Sequence, residues 1–69
     1  MSQTDEGKLK TLLDYWIDHN REHAEEFREW AEKAGGMGKE AVQKDLLLAA
    51  EQMEKANESL AAALKLLEG

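Results

Sequence analysis

Apolar residues recur along the chain at alternating steps of four and three residues, first over residues 9–34 and again over residues 42–67. This heptad spacing is typical of α-helices that pack side by side in a left-handed coiled coil. Polar residues occupy the positions between, including pairs of opposite charge four residues apart, such as Glu51 with Lys55. The pattern therefore predicts two long amphipathic helices.

A cluster of glycines separates the two helical segments. Asp5 and Glu6 suit the start of a first helix and Lys33 suits its last turn, because a helix is positively polarised at its N-terminus and negatively at its C-terminus. Gly35 is expected to end that helix in the left-handed conformation. We predict a single domain over residues 1–69, with a first helix over about 5–34, a turn over 35–38 and a second helix over about 39–68.

The two helices are predicted to form an all-α, antiparallel hairpin in which facing residues have numbers that add to 76. In this register Phe27 faces Ala49, and Lys33 lies beside Asp45 as a flanking ion pair. Bulky residues of one helix thus meet alanines of the other, which fills the core without voids. The predicted seam consists of Leu9, Leu13, Trp16, Asn20, His23, Phe27, Trp30 and Ala34 in the first helix and Val42, Leu46, Ala49, Met53, Ala56, Leu60, Ala63 and Leu67 in the second.

The chain carries more apolar residues than one seam can cover. Leu12 and Leu66 lie on one flank of the predicted seam, and Ile17 and Leu64 lie on the other. A chain of 69 residues also buries only a small core, and without cysteine it cannot gain stability from disulfides. We therefore predict a homodimer in which two hairpins form a four-helix bundle with these four residues at the interface. Scattered surface leucines and an unknown protein partner are the alternatives.

Two polar residues, Asn20 and His23, occupy successive positions of the predicted seam. Buried polar groups need hydrogen-bond partners, and Asn57 lies close to Asn20 in the predicted register. A buried asparagine commonly fixes the register and the oligomeric state of packed helices. We therefore interpret Asn20 and Asn57 as a structural pair that sets the register.

His19 and His23 are the candidate functional residues. They are four residues apart, so both rings project from one face of the helix. Two imidazoles at this spacing can chelate a divalent cation such as Ni²⁺, Co²⁺ or Zn²⁺. Glu26, three residues after His23, is the candidate third ligand. The alternative interpretation is that the two histidines only pack and hydrogen-bond.

The composition argues against several other functions. Fifteen acidic residues against nine basic ones give a net charge of −6, which is unfavourable for a nucleic-acid partner. The absence of cysteine excludes thiolate metal sites and cysteine nucleophiles. Residues 19–23 match the H-x-x-E-H string of inverted zinc peptidases, but Glu22 points away from the predicted seam and so short a chain leaves no substrate cleft. We therefore predict that the protein is not an enzyme.

No apolar run approaches the roughly 20 residues that span a bilayer, and no signal-peptide pattern opens the chain. A cytoplasmic location without a membrane partner is therefore expected.

Residues 16–25 carry a W-I-x-H-N-x-x-H-A-E motif, and a second tryptophan follows it. In this motif and in its helix-rich C-terminal half, the chain resembles a group of short, uncharacterised prokaryotic helical-hairpin proteins. The resemblance implies a helical hairpin and a link to the handling of nickel or cobalt. The positions that it carries over to this chain are Trp16, His19, Asn20, His23 and Trp30.

These observations together predict a small, non-enzymatic helical module of uncharacterised function that binds a divalent transition metal through His19 and His23. The alternative is a purely structural or protein-interaction module without a metal.

Overall fold

The computed structural model describes residues 3–69, with side chains from Asp5 onward. It contains two helices, α1 over Gln3–Gly36 and α2 over Glu40–Glu68, and no strand occurs within residues 3–69. A helix of 34 residues is about 51 Å long, and the Cα atoms extend over 53 × 15 × 14 Å, so the helices lie side by side. Because a short turn joins them, they run antiparallel. The predicted all-α helical hairpin is confirmed.

Gly38 ends α1 in a Schellman motif. Its φ of +76° lies in the left-handed region, where glycine meets no steric penalty. The Lys39 amide donates to the Ala34 carbonyl (2.9 Å) and the Gly38 amide donates to the Gly35 carbonyl (3.1 Å), which satisfies carbonyls that a helix end leaves free. The prediction that Gly35 caps α1 is therefore wrong, because the helix continues to Gly36, two residues beyond the predicted end.

Gly35 has a packing role instead. A Cβ atom at this position would lie 2.6 Å from the Nε2 atom of Gln43, which is closer than non-bonded atoms approach. The missing side chain therefore leaves room for the end of the flexible Gln43 side chain, which would have to move if a Cβ atom were added.

Small side chains form the centre of the seam between the helices. The residues that are at most 3% exposed are Leu13, Ala24, Ala31, Ala34 and Ala50. Half-buried residues continue the stripe, including Ile17, Asn20 and Phe27 on α1 and Leu46, Met53, Asn57, Leu60, Leu64 and Leu67 on α2. Because the distance between packed helices depends on the side chains at their contact, these alanines allow a close approach.

Every second position of the predicted seam is displaced by one residue, and the predicted seam residues Leu9 and Val42 are exposed. On α1 the seam contains Ile17, Ala24 and Ala31 in place of the predicted Trp16, His23 and Trp30. On α2 it contains Ala50, Asn57 and Leu64 in place of the predicted Ala49, Ala56 and Ala63. The heptad pattern fits both the predicted and the observed positions. Small residues occupy the contact between the helices because indole rings at that contact would hold the helices apart. Ile17 and Leu64, predicted at a dimer interface, thus belong to the hairpin's own seam.

Asn20 and Asn57 connect the two helices by hydrogen bonds. Asn20 Nδ2 donates to Asn57 Oδ1 at 3.1 Å, and Asn57 Nδ2 donates to the Ile17 carbonyl at 2.9 Å. The numbers of the two asparagines add to 77, which is one more than the predicted register. Both amides are part-buried and both have partners, as polar groups in a helix interface require.

Charged side chains flank the seam. Arg28 forms an ion pair with Glu54 across the two helices. The ammonium group of Lys33 lies 4.2 Å from the centre of the Trp30 ring, in a cation–π contact. The predicted ion pair between Lys33 and Asp45 is wrong, since the part of the chain that the structure describes contains no such contact.

We expect Asn57→Ala to lower the free energy of unfolding by about 1–3 kcal/mol, because it leaves the part-buried amide of Asn20 without its partner. Gln52→Ala is the matched control, since it removes an exposed amide from the same helix and should change stability by less than about 0.5 kcal/mol. Urea denaturation at one protein concentration measures both variants. Equal stabilities of the two variants would contradict a structural role for the asparagine pair.

Gly38→Ala should destabilise the hairpin by about 1–2 kcal/mol, because alanine is strained in the left-handed region. Gly36→Ala is the control, since Gly36 is helical and a Cβ there meets no atom within 4 Å. It should raise stability by up to about 1 kcal/mol through its helix propensity. Thermal unfolding measures the midpoint temperature of both variants. Shifts of the same sign in the two variants would contradict the requirement for glycine at position 38.

Candidate functional site

The two sides of the hairpin that flank the seam differ in chemistry. On one side, exposed apolar residues follow both helices, and we call this side the apolar face. Its members are 39% to 84% exposed, and they are Leu9, Leu12, Trp16 and Trp30 on α1 and Val42 and Leu66 on α2. On α1 they repeat at the heptad spacing of the seam, displaced by one position. Helix α1 therefore carries a second stripe of the kind that packs against another helix.

The opposite side of the hairpin is charged. It includes the ion pair between Arg28 and Glu54 and a second pair, 3.4 Å long, between Arg21 and Asp18. All four side chains are well exposed, so these pairs contribute little to stability. One side of the hairpin thus suits water, and the other suits an apolar partner surface.

His19 and His23 lie halfway along α1, within the stripe that forms the apolar face. Their Nε2 atoms are 2.9 Å apart, and the ring planes are nearly perpendicular at 84°. In a hydrogen bond between the two Nε2 atoms one ring donates and the other accepts, and the tautomers determine which ring is the donor. His19 is exposed and His23 is half-buried, so solvent reaches the pair.

Aromatic rings on both sides support the two imidazoles. Tyr15 stacks on His19 with ring centroids 5.3 Å apart, and Phe27 stacks on His23 at 6.0 Å. These four rings are spaced four residues apart, so they form one row along the surface of α1. Sequence reasoning missed Tyr15 as a neighbour of the site, although its spacing of four residues from His19 was the available signal.

Glu26 contacts the nitrogen of His23 that is turned away from His19. Its Oε1 atom lies 3.6 Å from Nδ1 of His23, whereas Nε2 of that ring meets His19. A carboxylate beside Nδ1 commonly orients an imidazole and favours the tautomer whose Nε2 atom can act as a ligand. At 3.6 Å the two atoms are too far apart for a hydrogen bond, so Glu26 is a neighbour of His23, and its role as the third ligand stays a prediction.

Further glutamates surround the pair. The shallow depression that holds both histidines and Glu26 is also lined by Glu22, Glu25 and Glu29. Their charges make the surroundings of the imidazoles negative, which attracts cations to this part of α1.

The number of ligands on one chain is small. Among the residues that the structure describes, no group of three or more His, Cys, Asp or Glu side chains is arranged to hold a metal ion. The chain can therefore offer a cation the two imidazole nitrogens, and any further ligands come from water or from another molecule.

The chain belongs to the DUF8180 family, a domain of unknown function whose family model matches residues 9–67. This match covers the seam of both helices and the turn between them. No curated protein and no solved structure matches the chain. Over residues 3–69, neither helix has an apolar stretch long enough to cross a membrane.

Proposed function

We propose that this member of the DUF8180 family is a small, non-enzymatic helical module. It forms a homodimeric four-helix bundle through its apolar face, and it binds a divalent transition-metal ion through His19 and His23. Ni²⁺, Co²⁺ and Zn²⁺ are the ions expected for imidazole ligands. The observation that carries the proposal is the second heptad stripe of α1, which is exposed and has the histidine pair at its centre.

The accessible surface of the chain supports a dimer. It amounts to 5350 Å² for a mass of 7.8 kDa, whereas a compact monomer of this mass exposes about 4,400 Å². The excess is on the order of 1,000 Å², and a standard protein interface buries about 800 Å² on each partner. Pairing with a second copy would therefore give the chain the exposed surface of an ordinary globular protein.

The thin core of the hairpin supports the same conclusion. Four of its five fully buried residues are alanines, which bury little apolar surface. Several large apolar side chains remain exposed on the apolar face, among them Trp16, Trp30 and Leu12. Covering a large apolar side chain contributes about 1.5–3 kcal/mol. A two-fold dimer covers the same face on both copies and leaves both charged sides in water.

The geometry of the histidine pair supports metal binding. Both Nε2 atoms converge at 2.9 Å, so they can bind the same ion after small rotations of the rings. The Glu26 carboxylate lies 3.6 Å from Nδ1 of His23, and a small movement of its side chain would form the hydrogen bond by which carboxylates orient imidazole ligands of metals. The surrounding glutamates favour a cation electrostatically.

The shape of the described surface supports a non-enzymatic role. The depression that contains the histidines is open, and residues of α1 alone line it. Substrate and cofactor sites are usually clefts that bury most of their ligand. A rod with a Cα cross-section of 15 × 14 Å offers little depth for such a cleft.

The alternative is a structural or protein-interaction module in which the histidines bind no metal. Its supporting observation is that the pair already forms a hydrogen bond between its Nε2 atoms, as two packed surface histidines can do. The two hypotheses differ in whether a cation replaces that hydrogen bond.

Leu12→Lys and Leu47→Lys form a matched pair of variants for the dimer. The two leucines are 42% and 46% exposed, but Leu12 belongs to the apolar face and Leu47 lies on the charged side, one heptad before Glu54. We expect Leu12→Lys to weaken dimerisation on the order of 100-fold or more, because it removes two buried leucines from each dimer, and Leu47→Lys to have little effect. Analytical ultracentrifugation over a concentration series measures both, and a wild-type monomer at tens of micromolar would refute the dimer.

His19→Ala/His23→Ala tests the metal site in protein made without a histidine tag. Calorimetric titration with Ni²⁺, Co²⁺ and Zn²⁺ should show binding to the wild type and a loss on the order of 100-fold or more in the variant, because both ligands are gone. Glu22→Gln is the control, since Glu22 lines the same depression but its carboxylate is not paired with either imidazole. Negligible heats for wild type and variant alike would support the structural alternative.

A further inference from the structure

We infer that two copies pair with α1 against α1, antiparallel, about a two-fold axis perpendicular to the helices. His19 and His23 of both copies then form one site of four nitrogen ligands for a single divalent transition-metal ion. This inference rests on the proposed function and adds which helices meet, how many ions bind and what completes the site.

The number of ligands points to a site between two copies. One chain supplies two converging imidazole nitrogens, 2.9 Å apart, and the part of it that the structure describes has no arranged group of three ligands. Two imidazoles alone hold a cation weakly, with water in its other positions. A second, identical pair supplies the missing ligands without any further residue type, which suits a chain that contains two histidines and no cysteine.

The position of the pair along the helix provides the geometric argument. Helix α1 runs from Gln3 to Gly36, and its midpoint falls between His19 and His23. Two identical antiparallel helices that are related by a perpendicular two-fold axis overlap most when the axis passes through their midpoints. When the axis passes between the two histidines, facing residues of the two α1 helices have numbers that add to 42. His19 then faces His23 of the second copy.

The residues on either side of the pair fit this arrangement. In the same register, Leu12 of one copy faces Trp30 of the other on both sides of the axis. Both residues are exposed in the single chain and belong to the apolar face. Between these contacts and the histidines, Trp16 of one copy faces Glu26 of the other, so each flank of the metal site combines an apolar contact with a carboxylate.

The chemistry of α2 argues against the other two-fold arrangement. An axis parallel to the helices would set α1 on α2 of the second copy, where Ala49, Ala56 and Ala63 line the same side of the hairpin. The imidazoles would then be covered by methyl groups, and burying polar groups against apolar ones is unfavourable. With α1 on α1, the polar rings meet polar rings, and the alanines of the two α2 helices meet each other.

The spacing of the nitrogens can be compared with the spacings that different coordination geometries need. Two ligands 2.9 Å apart, with metal–nitrogen bonds of about 2.05 Å, subtend an angle of about 90° at the metal. This is the angle between neighbouring ligands in square-planar and octahedral sites, which Ni²⁺ and Cu²⁺ adopt, whereas a tetrahedral site needs a separation of about 3.3 Å. Because small rotations of the rings can change the separation by a few tenths of an ångström, both geometries are accessible, and Ni²⁺ and Zn²⁺ are the two probes to compare.

A single spin label distinguishes the two arrangements. The chain has no cysteine, so Lys8→Cys introduces one labelling site, at an exposed position near the start of α1. With α1 antiparallel to α1, the two labels lie at opposite ends of the bundle, about 40 Å apart, whereas the other arrangement brings them within about 30 Å. Pulsed electron spin resonance on the dimer measures this distance. A single short distance would overturn the inference while leaving the dimer intact.

Titration with Ni²⁺ tests whether the site is shared. We expect one ion per two chains in the wild type and a loss of affinity on the order of 100-fold or more in Leu12→Lys, because a monomer retains one of the two imidazole pairs. Leu47→Lys should bind like the wild type. One ion per chain, with equal affinity in Leu12→Lys, would overturn the shared site but not metal binding.

Two other outcomes would refute parts of the proposed function and not only this inference. A wild-type chain that is monomeric at all concentrations refutes the dimer and the shared site together. A dimer that gives a long label distance and no Ni²⁺ or Zn²⁺ binding refutes the metal site while supporting the packing of α1 on α1.

Discussion

The close packing of α1 against α2 through alanines is the contact on which the rest of the structure depends. Ala24, Ala31 and Ala50 are almost completely buried, so the helices approach each other with little apolar volume between them. Alanine side chains bury little apolar surface, and the hydrogen-bonded pair of Asn20 and Asn57 adds a specific contact between the helices. The aromatic residues that a thicker core would contain remain outside, where Trp16 and Trp30 are exposed. The thin seam and the apolar face thus have one cause.

The sequence was sufficient to predict two helices, their antiparallel pairing and the turn, because the heptad pattern and the glycine cluster are local signals. It was not sufficient to choose between two seams that share Leu13, Asn20, Phe27 and Ala34 on α1. Hydrophobicity favours tryptophan over alanine at the alternate positions, whereas steric fit between helices favours alanine. That fit depends on the distance between the axes, which is a property of the packed pair and not of either helix alone.

For the candidate site, too, the sequence predicted which residues lie together but not their atomic contacts. The spacing of His19 and His23 places both rings on one face of α1, as any such spacing on a helix does. Which nitrogen of each ring meets its neighbour depends on side-chain rotamers, so the contact between Glu26 and Nδ1 of His23 could not be predicted. The displaced seam matters here as well. It moves His23 from the predicted core to the edge of the hairpin, where the nitrogens of both rings can be reached.

In the proposed dimer, the polar pair at the centre of the apolar face would link assembly to metal binding. Covering that face removes His19 and His23 from water, which is unfavourable unless new partners replace the water that they lose. If the replacement is a cation held by both copies, the ion binds the dimer more tightly than the monomer. By thermodynamic linkage, the same ion must then strengthen the dimer by the same factor. The position of two imidazoles among tryptophans and leucines would in this way make the association of a thinly packed hairpin depend on its metal.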